Sequence, residues 1–195
     1  MIERRHQRAI MCSPAEAPAV VLLGPRQVGG TALAREIARD VPYCMYLDLE
    51  DPDQAARLAN PELYLDAQSE RMLILDEIQR MPNLFQVLRG QIDKRCRGGQ
   101  SSGQFLLLGS ASKGLFRQAA ESLAGRATDH EPSGLDALEI GGERDHLWVR
   151  GGATDSFRAS DDETSARWRT NFVRTYFGAR HSAARWSRSR RPLYP

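Results

Sequence analysis

The chain has 195 residues, 41% of them hydrophobic and 27% charged, with a net charge of +2. That balance excludes wholesale disorder and suits one domain with part of a neighbour, and the longest apolar run, over 17–23, is far too short to span a bilayer. Three widely spaced cysteines (Cys12, Cys44, Cys96) without a CxxC pair, and a charged N-terminus without an apolar stretch, predict a cytoplasmic protein with reduced thiols and no secretory signal.

In chain order, residues 2–11 read as a short charged helix. AVVLL (19–23) reads as a buried strand stopped by Gly24 and Pro25. A helix follows over 31–39, with Leu33, Ile37 and Ala38 on roughly one face. A second strand spans 43–49 and ends among Asp48, Glu50 and Asp51. A helix over 51–59 starts at Asp51 and Pro52, a capping pair. MLILDE (72–77) is a third buried strand ending in two carboxylates. An amphipathic helix covers 83–95, where Leu84, Val87, Leu88 and Ile92 recur at helical spacing. After the glycine-rich loop 98–103 comes a fourth strand, 105–108, and then a helix over 115–123. Strands alternating with helices over 19–123 predict a three-layer α/β fold, a parallel sheet flanked by helices. Past Arg126 the pattern weakens: LWVR (147–150) reads as a short strand, and 163–177 as a helix with Trp168, Phe172 and Tyr176 four residues apart. Residues 178–195 hold five arginines (Arg180, Arg185, Arg188, Arg190, Arg191) and no acid. The remainder carries 22 basic against 25 acidic residues, a net −3. The basic character therefore belongs to the tail.

The first strand leads into Gly24-Pro25-Arg26-Gln27-Val28-Gly29-Gly30-Thr31, with Ala32 next in the first helical turn. The phosphate-loop pattern GxxxxGK[ST] is met at Gly24, Gly29 and Thr31. A strand–loop–helix context turns backbone N–H groups and a helix N-terminus toward phosphate oxygens, and Thr31 is placed to hold Mg²⁺ through its hydroxyl. The lysine of the pattern is missing: Gly30 stands in its place, and the only lysines are Lys94 and Lys113. On the third strand Asp76 is placed to hold the Mg²⁺ water shell and Glu77 to polarise an attacking water. Ser110 or Ser112 at the tip of the fourth strand could sense the terminal phosphate. Arg126 in ESLAGR could supply transition-state charge in cis or in trans. Each piece alone has a bland reading as a turn, a solvated strand end or a surface arginine. In this order on alternating strands they point to a nucleotide site.

GPRQVGGT, YLDLED, LILDEIQRMPNLF, LLLGSAS and ESLAGR resemble, in order, the prokaryotic AAA+-type ATP-binding proteins whose loop reads GPRQVGKT. The likeness continues through the linker-like stretch 147–177. It implies a P-loop NTPase sheet of the additional-strand class, with the sensor strand between the loop strand and the metal strand. It also implies ATP with Mg²⁺ as ligands and a C-terminal domain of unknown function, while homo-oligomerisation is left open by the sequence. On that reading residues 1–140 are the ATPase-like domain, 141–177 a linker and the start of a shortened second domain, and 178–195 a disordered basic tail. The chain departs from the family at Gly30, at Asp129 and His130, and beyond Phe177, where the change of composition is that expected of a shortened reading frame.

A lysine ammonium on a phosphate is worth roughly 4 kcal/mol at an effective dielectric near 20, before desolvation is subtracted. Without it, Mg-ATP binding is expected to be weak and hydrolysis near background. The competing expectations are a non-catalytic remnant or partner-binding module and, third, nucleic-acid contact through the tail arginines and Trp186. Scattered histidines without ligand spacing and the absence of GxSxG give no support to a zinc site or a hydrolase elbow.

Overall fold

A computed structural model describes residues 10, 13–110 and 113–188. The chain divides into two compact units, the first ending at Gly134 and the second beginning at Leu135.

The first unit is built on five strands: β1 (Ala19–Gly24), β2 (Cys44–Asp48), β3 (Met72–Asp76), β4 (Phe105–Ser110) and β5 (Ala127–His130). They run in the order β2-β3-β4-β1-β5, and every pairing is parallel. Strand β4, read from the sequence as the sensor strand, lies between the loop strand β1 and the carboxylate strand β3, the order the resemblance implies. The helices are α1 (Gly30–Asp40), α2 (Pro52–Ala56), α3 (Pro61–Ala67), α4 (Leu84–Arg97) and α5 (Lys113–Leu123), with a 3-10 turn over Ile78–Arg80.

Strand side chains alternate between the two faces of a sheet. Val21, Leu23, Leu73, Leu75 and Leu107 pack on one side with Leu84, Phe85, Leu88 and Ile92 of α4 and Leu115 and Ala119 of α5. Val20, Leu22, Ile74, Leu106 and Leu108 pack on the other with Leu33, Ala34 and Ile37 of α1. The central strands are covered on both faces, so they read as unbroken apolar runs rather than alternating ones. Among the described residues strand β5 pairs with β1 alone, and as an edge it tolerates Thr128 and Asp129 exposed.

Helix α2 begins as expected: the Asp51 side chain accepts from the Asp53 N–H, with Pro52 at the first helical position. Helix α3 was not anticipated, although Asn60 caps it through the Leu63 N–H and Pro61 opens it. Residues 2–9 and Met11 of the expected N-terminal helix, and Ser112, lie outside the described residues.

The second unit contains α6 (Arg144–Arg150), α7 (Thr154–Phe157) and α8 (Asp162–Arg188). LWVR is helical, not a strand. The Leu147 N–H donates to the Glu143 carbonyl and the Gly151 N–H to the Leu147 carbonyl, and Gly151 stops the helix at φ 73. Four residues carry too little pattern to separate the two states. The buried Arg150 ties the unit together: its Nε donates to Asp162 at 2.6 Å and its Nη1 to the carbonyls of Phe157 and Ala159. Along α8 the rings of Trp168, Phe172 and Tyr176 stack at 5.2 and 5.3 Å. Among the described residues no helix is long and apolar enough to cross a membrane.

Candidate functional site

Parallel strands of one sheet present their C-terminal ends at one edge, and open α/β folds bind ligands there. At this edge Gly24 of β1 is the register partner of Ser110 of β4, and Asp48 of β2 of Asp76 of β3. The loop from Pro25 to Gly29 then feeds α1. A side chain at Gly24 would meet Pro132 Cγ at 2.6 Å and its carbonyl at 2.8 Å, so the strand must end in glycine. Within the loop Gln27 takes φ 63 and Gly29 φ 89. These left-handed residues turn the backbone sharply into the helix, and Val28, 7% exposed, pins the loop to the body. Gly29 is the N-cap of α1. No side chain caps that terminus and its first turn holds no acid. Its N–H groups and the positive end of the helix dipole are therefore open to an anion. Gly30 and Thr31 are half-buried there and Ala32 is exposed. Packing does not require glycine at position 30: a Cβ would meet only Leu108 Cδ2, at 4.0 Å.

Asp76 is 3% exposed. Its Oδ2 accepts from the Tyr46 hydroxyl at 2.6 Å and its Oδ1 from the Glu77 N–H at 2.9 Å. Burial and this neighbouring carboxylate push the Tyr46 phenol far above its usual range, so it stays a donor. The Arg35 guanidinium of α1 lies 5.6 Å from the Tyr46 ring centre. Glu77 takes φ 57, which turns the chain out of β3. Burial, then the Asp76 charge, raise its pKa above the usual carboxylate value; a hydrogen bond from Gln79 and the charge of Arg26 oppose them.

Gln79 bridges two strands. Its Nε2 donates to Glu77 Oε2, and its Oε1 accepts from the Ser110 N–H at 3.2 Å. The amide lies so close over Gly109 that a Cβ there would stand 2.4 Å from Gln79 Oε1. Arg26 Nε donates to Ser110 Oγ at 3.2 Å. Loop, sensor strand and Glu77 are thereby connected side chain to side chain.

Gly24, the loop residues 25–29, Gly30, Thr31, Ala32, Asp76, Glu77 and Ser110 thus share one edge. Arg126 does not. Its carbonyl accepts from the Ala19 N–H at the start of β1, so the length of a six-residue strand, roughly 16–20 Å, separates it from its own loop. Its guanidinium is held by Asp93 of α4, Nε to Oδ1 at 2.6 Å and Nη2 to Oδ2 at 3.0 Å. Sequence reasoning missed Tyr46, Arg35 and Gln79. Only Gln79, two residues past the carboxylate pair, carried a positional signal.

The residues present fit a nucleotide with Mg²⁺ in their donor chemistry. An uncapped helix start behind a left-handed glycine suits phosphate, and the Thr31 hydroxyl with the Asp76 and Glu77 carboxylates supplies the oxygen donors that a hard divalent cation prefers. The ammonium of the loop is what they lack.

A family model described as "AAA domain" matches residues 16–141. Uncharacterized proteins of Mycobacterium tuberculosis and Mycobacterium bovis are each 43% identical over 178 residues, 90% of this chain and 39% of the relative. The chain therefore spans about two fifths of the length of these relatives. Among solved structures, a Walker-type ATPase of Pyrococcus abyssi superposes with TM-score 0.62 at 13% identity, covering 97% of this chain and 77% of that one. The replication initiator DnaA, bound to AMPPCP and single-stranded DNA, gives TM-score 0.52 at 13% identity over 90% of this chain and 72% of its own. At such identities the likeness is one of fold.

Proposed function

The chain belongs to the AAA domain family, and from that membership we propose that its first unit is a degenerate ATP-binding module that takes Mg-ATP weakly and turns it over at near-background rate. The observation that carries this reading is Gly30, on the open first turn of α1 where the phosphate-loop pattern has lysine.

The N–H groups of the first turn of α1 would hold the phosphates, and the Thr31 hydroxyl and the Asp76 carboxylate would hold Mg²⁺. Mg²⁺ held there would supply positive charge to offset that of the phosphates. Tyr46 keeps Asp76 oriented through its hydrogen bond, so the carboxylate does not need to reorganise. Glu77, with its raised pKa, is the group that takes a proton from water, and Gln79 orients it. Losing the ammonium removes an interaction that strengthens as charge moves in the transition state, so turnover falls more than affinity.

Titration of the purified chain with a fluorescent ATP analogue, alongside a phosphate-release assay, tests the reading. Weak saturable binding with negligible release supports it. Brisk release abolished by Asp76→Asn overturns the degeneracy, and no binding at any concentration leaves the chain a non-catalytic partner-binding module.

A further inference from the structure

The phosphate loop holds one cation of its own, Arg26. Its guanidinium does not extend away from the body: Nε donates to Ser110 Oγ, which draws the side chain from the loop after β1 across to the tip of β4. Gln27 and Gly29, both left-handed, turn the loop that follows it into α1. Of the charged groups acting on Glu77, Asp76 and Glu50 are acids and Arg26 is the cation. A site with two carboxylates and no lysine thus has its compensating charge on the loop after all, beside the sensor strand.

We propose that Arg26 supplies part of the positive charge that the missing lysine would bring and contacts the terminal phosphate of a bound nucleoside triphosphate; this rests on the nucleotide-binding reading above. The guanidinium suits the task. It is always charged, and its planar fork matches phosphate oxygens two at a time. Its present partner is a neutral hydroxyl at 3.2 Å, a modest bond that a charge-assisted one displaces readily. Ser110 is then released to offer its own hydroxyl. Because the Ser110 N–H is held by Gln79, and Gln79 by Glu77, the exchange at Arg26 occurs at one end of a connected chain whose other end is the carboxylate that handles water.

A cation at the terminal phosphate discriminates triphosphate from diphosphate, whereas a residue that merely shapes the loop affects both alike. The experiment is competitive titration of the full chain with ATP and ADP in the presence of Mg²⁺, read by a fluorescent nucleotide analogue. The wild-type chain is expected to prefer ATP. Arg26→Gln is expected to weaken ATP tenfold or more and ADP little, so the preference collapses. Arg26→Lys keeps most of it, and Gly30→Lys added to Arg26→Gln restores it. An ATP-to-ADP ratio unchanged in Arg26→Gln overturns the role of Arg26 while leaving the nucleotide-binding reading intact. A wild-type chain that binds neither nucleotide overturns both. If Arg26→Gln fails to give the wild-type circular-dichroism melt, the ratio in Arg26→Lys decides: equal weakening of both nucleotides overturns the proposal.

Discussion

At the scale of single residues, the proposed chemistry turns on Gly30 and Glu77. Gly30 has helical backbone and open space around its missing Cβ, so Gly30→Lys is expected to fold. Replacing a helical glycine should also stabilise α1, by about 0.5 kcal/mol. It should tighten ATP at least tenfold, about 1.4 kcal/mol of the larger gross charge term; unchanged affinity in a titration would show that the rest of the loop is not competent. Glu77 makes a prediction in pH. Its folded-state pKa is raised, so the protonated form favours the native state and ionisation works against it. Glu77→Gln retains an acceptor for Gln79 and removes the charge. The variant should melt higher than wild type at pH 7, and the gap should close as pH falls below about 4, where the unfolded carboxyl is itself protonated. A gap that widens in acid would contradict the sign. Both residues were legible in the sequence as motif positions. The environment that perturbs Glu77 was not, because burial and the Asp76 contact are tertiary facts.

At the scale of elements, the sheet edge is built by close approaches that only small residues permit. Gly109 of β4 lies under the Gln79 amide, and Gly109→Ala should cost about 1–3 kcal/mol through overpacking. Because Gln79 must then move, a denaturant melt of this variant should show lower stability, and its ATP affinity should fall with it. Arg126 behaves differently. Paired with Asp93, it fastens α4 to the start of β5, on the edge away from the loop. Arg126→Ala should lower the melting temperature and leave nucleotide affinity unchanged; the reverse pattern would make it part of the site. The motif ESLAGR suggested a charge donor, and what it lacked was direction, because sequence order does not say at which edge of a sheet a residue ends. LWVR failed for a related reason: helix and strand are equally open to four apolar-rich residues, and the i→i+4 bonds from Glu143 and Leu147 chose between them.

At the scale of the whole molecule, the second unit rests on a buried cation. Arg150→Ala would leave the carbonyls of Phe157 and Ala159 without their donor, at about 1–3 kcal/mol. Calorimetry should show this loss in the transition of the second unit while the ATP affinity of the first stays constant; a parallel fall in affinity would mean that the two unfold as one. The order of apolar strands and amphipathic helices by itself determined the class of fold. A run such as AVVLL has to be covered on both faces, and only flanking helices on a parallel sheet do that with this alternation. The sequence likewise picked out Gly24, Ser110, Asp76 and Glu77 by pattern, and the parallel register brings the ends of their strands to one edge of the sheet. Only the tertiary structure decided the rest. It sorted Arg126 from Arg26, two arginines of equal sequence interest, by bringing one to the far edge with Asp93 and the other onto Ser110. It also recruited Tyr46, Arg35 and Gln79, whose roles depend on what lies across the sheet. Strand order and register fix those neighbours, and both are set by packing between segments far apart in the chain.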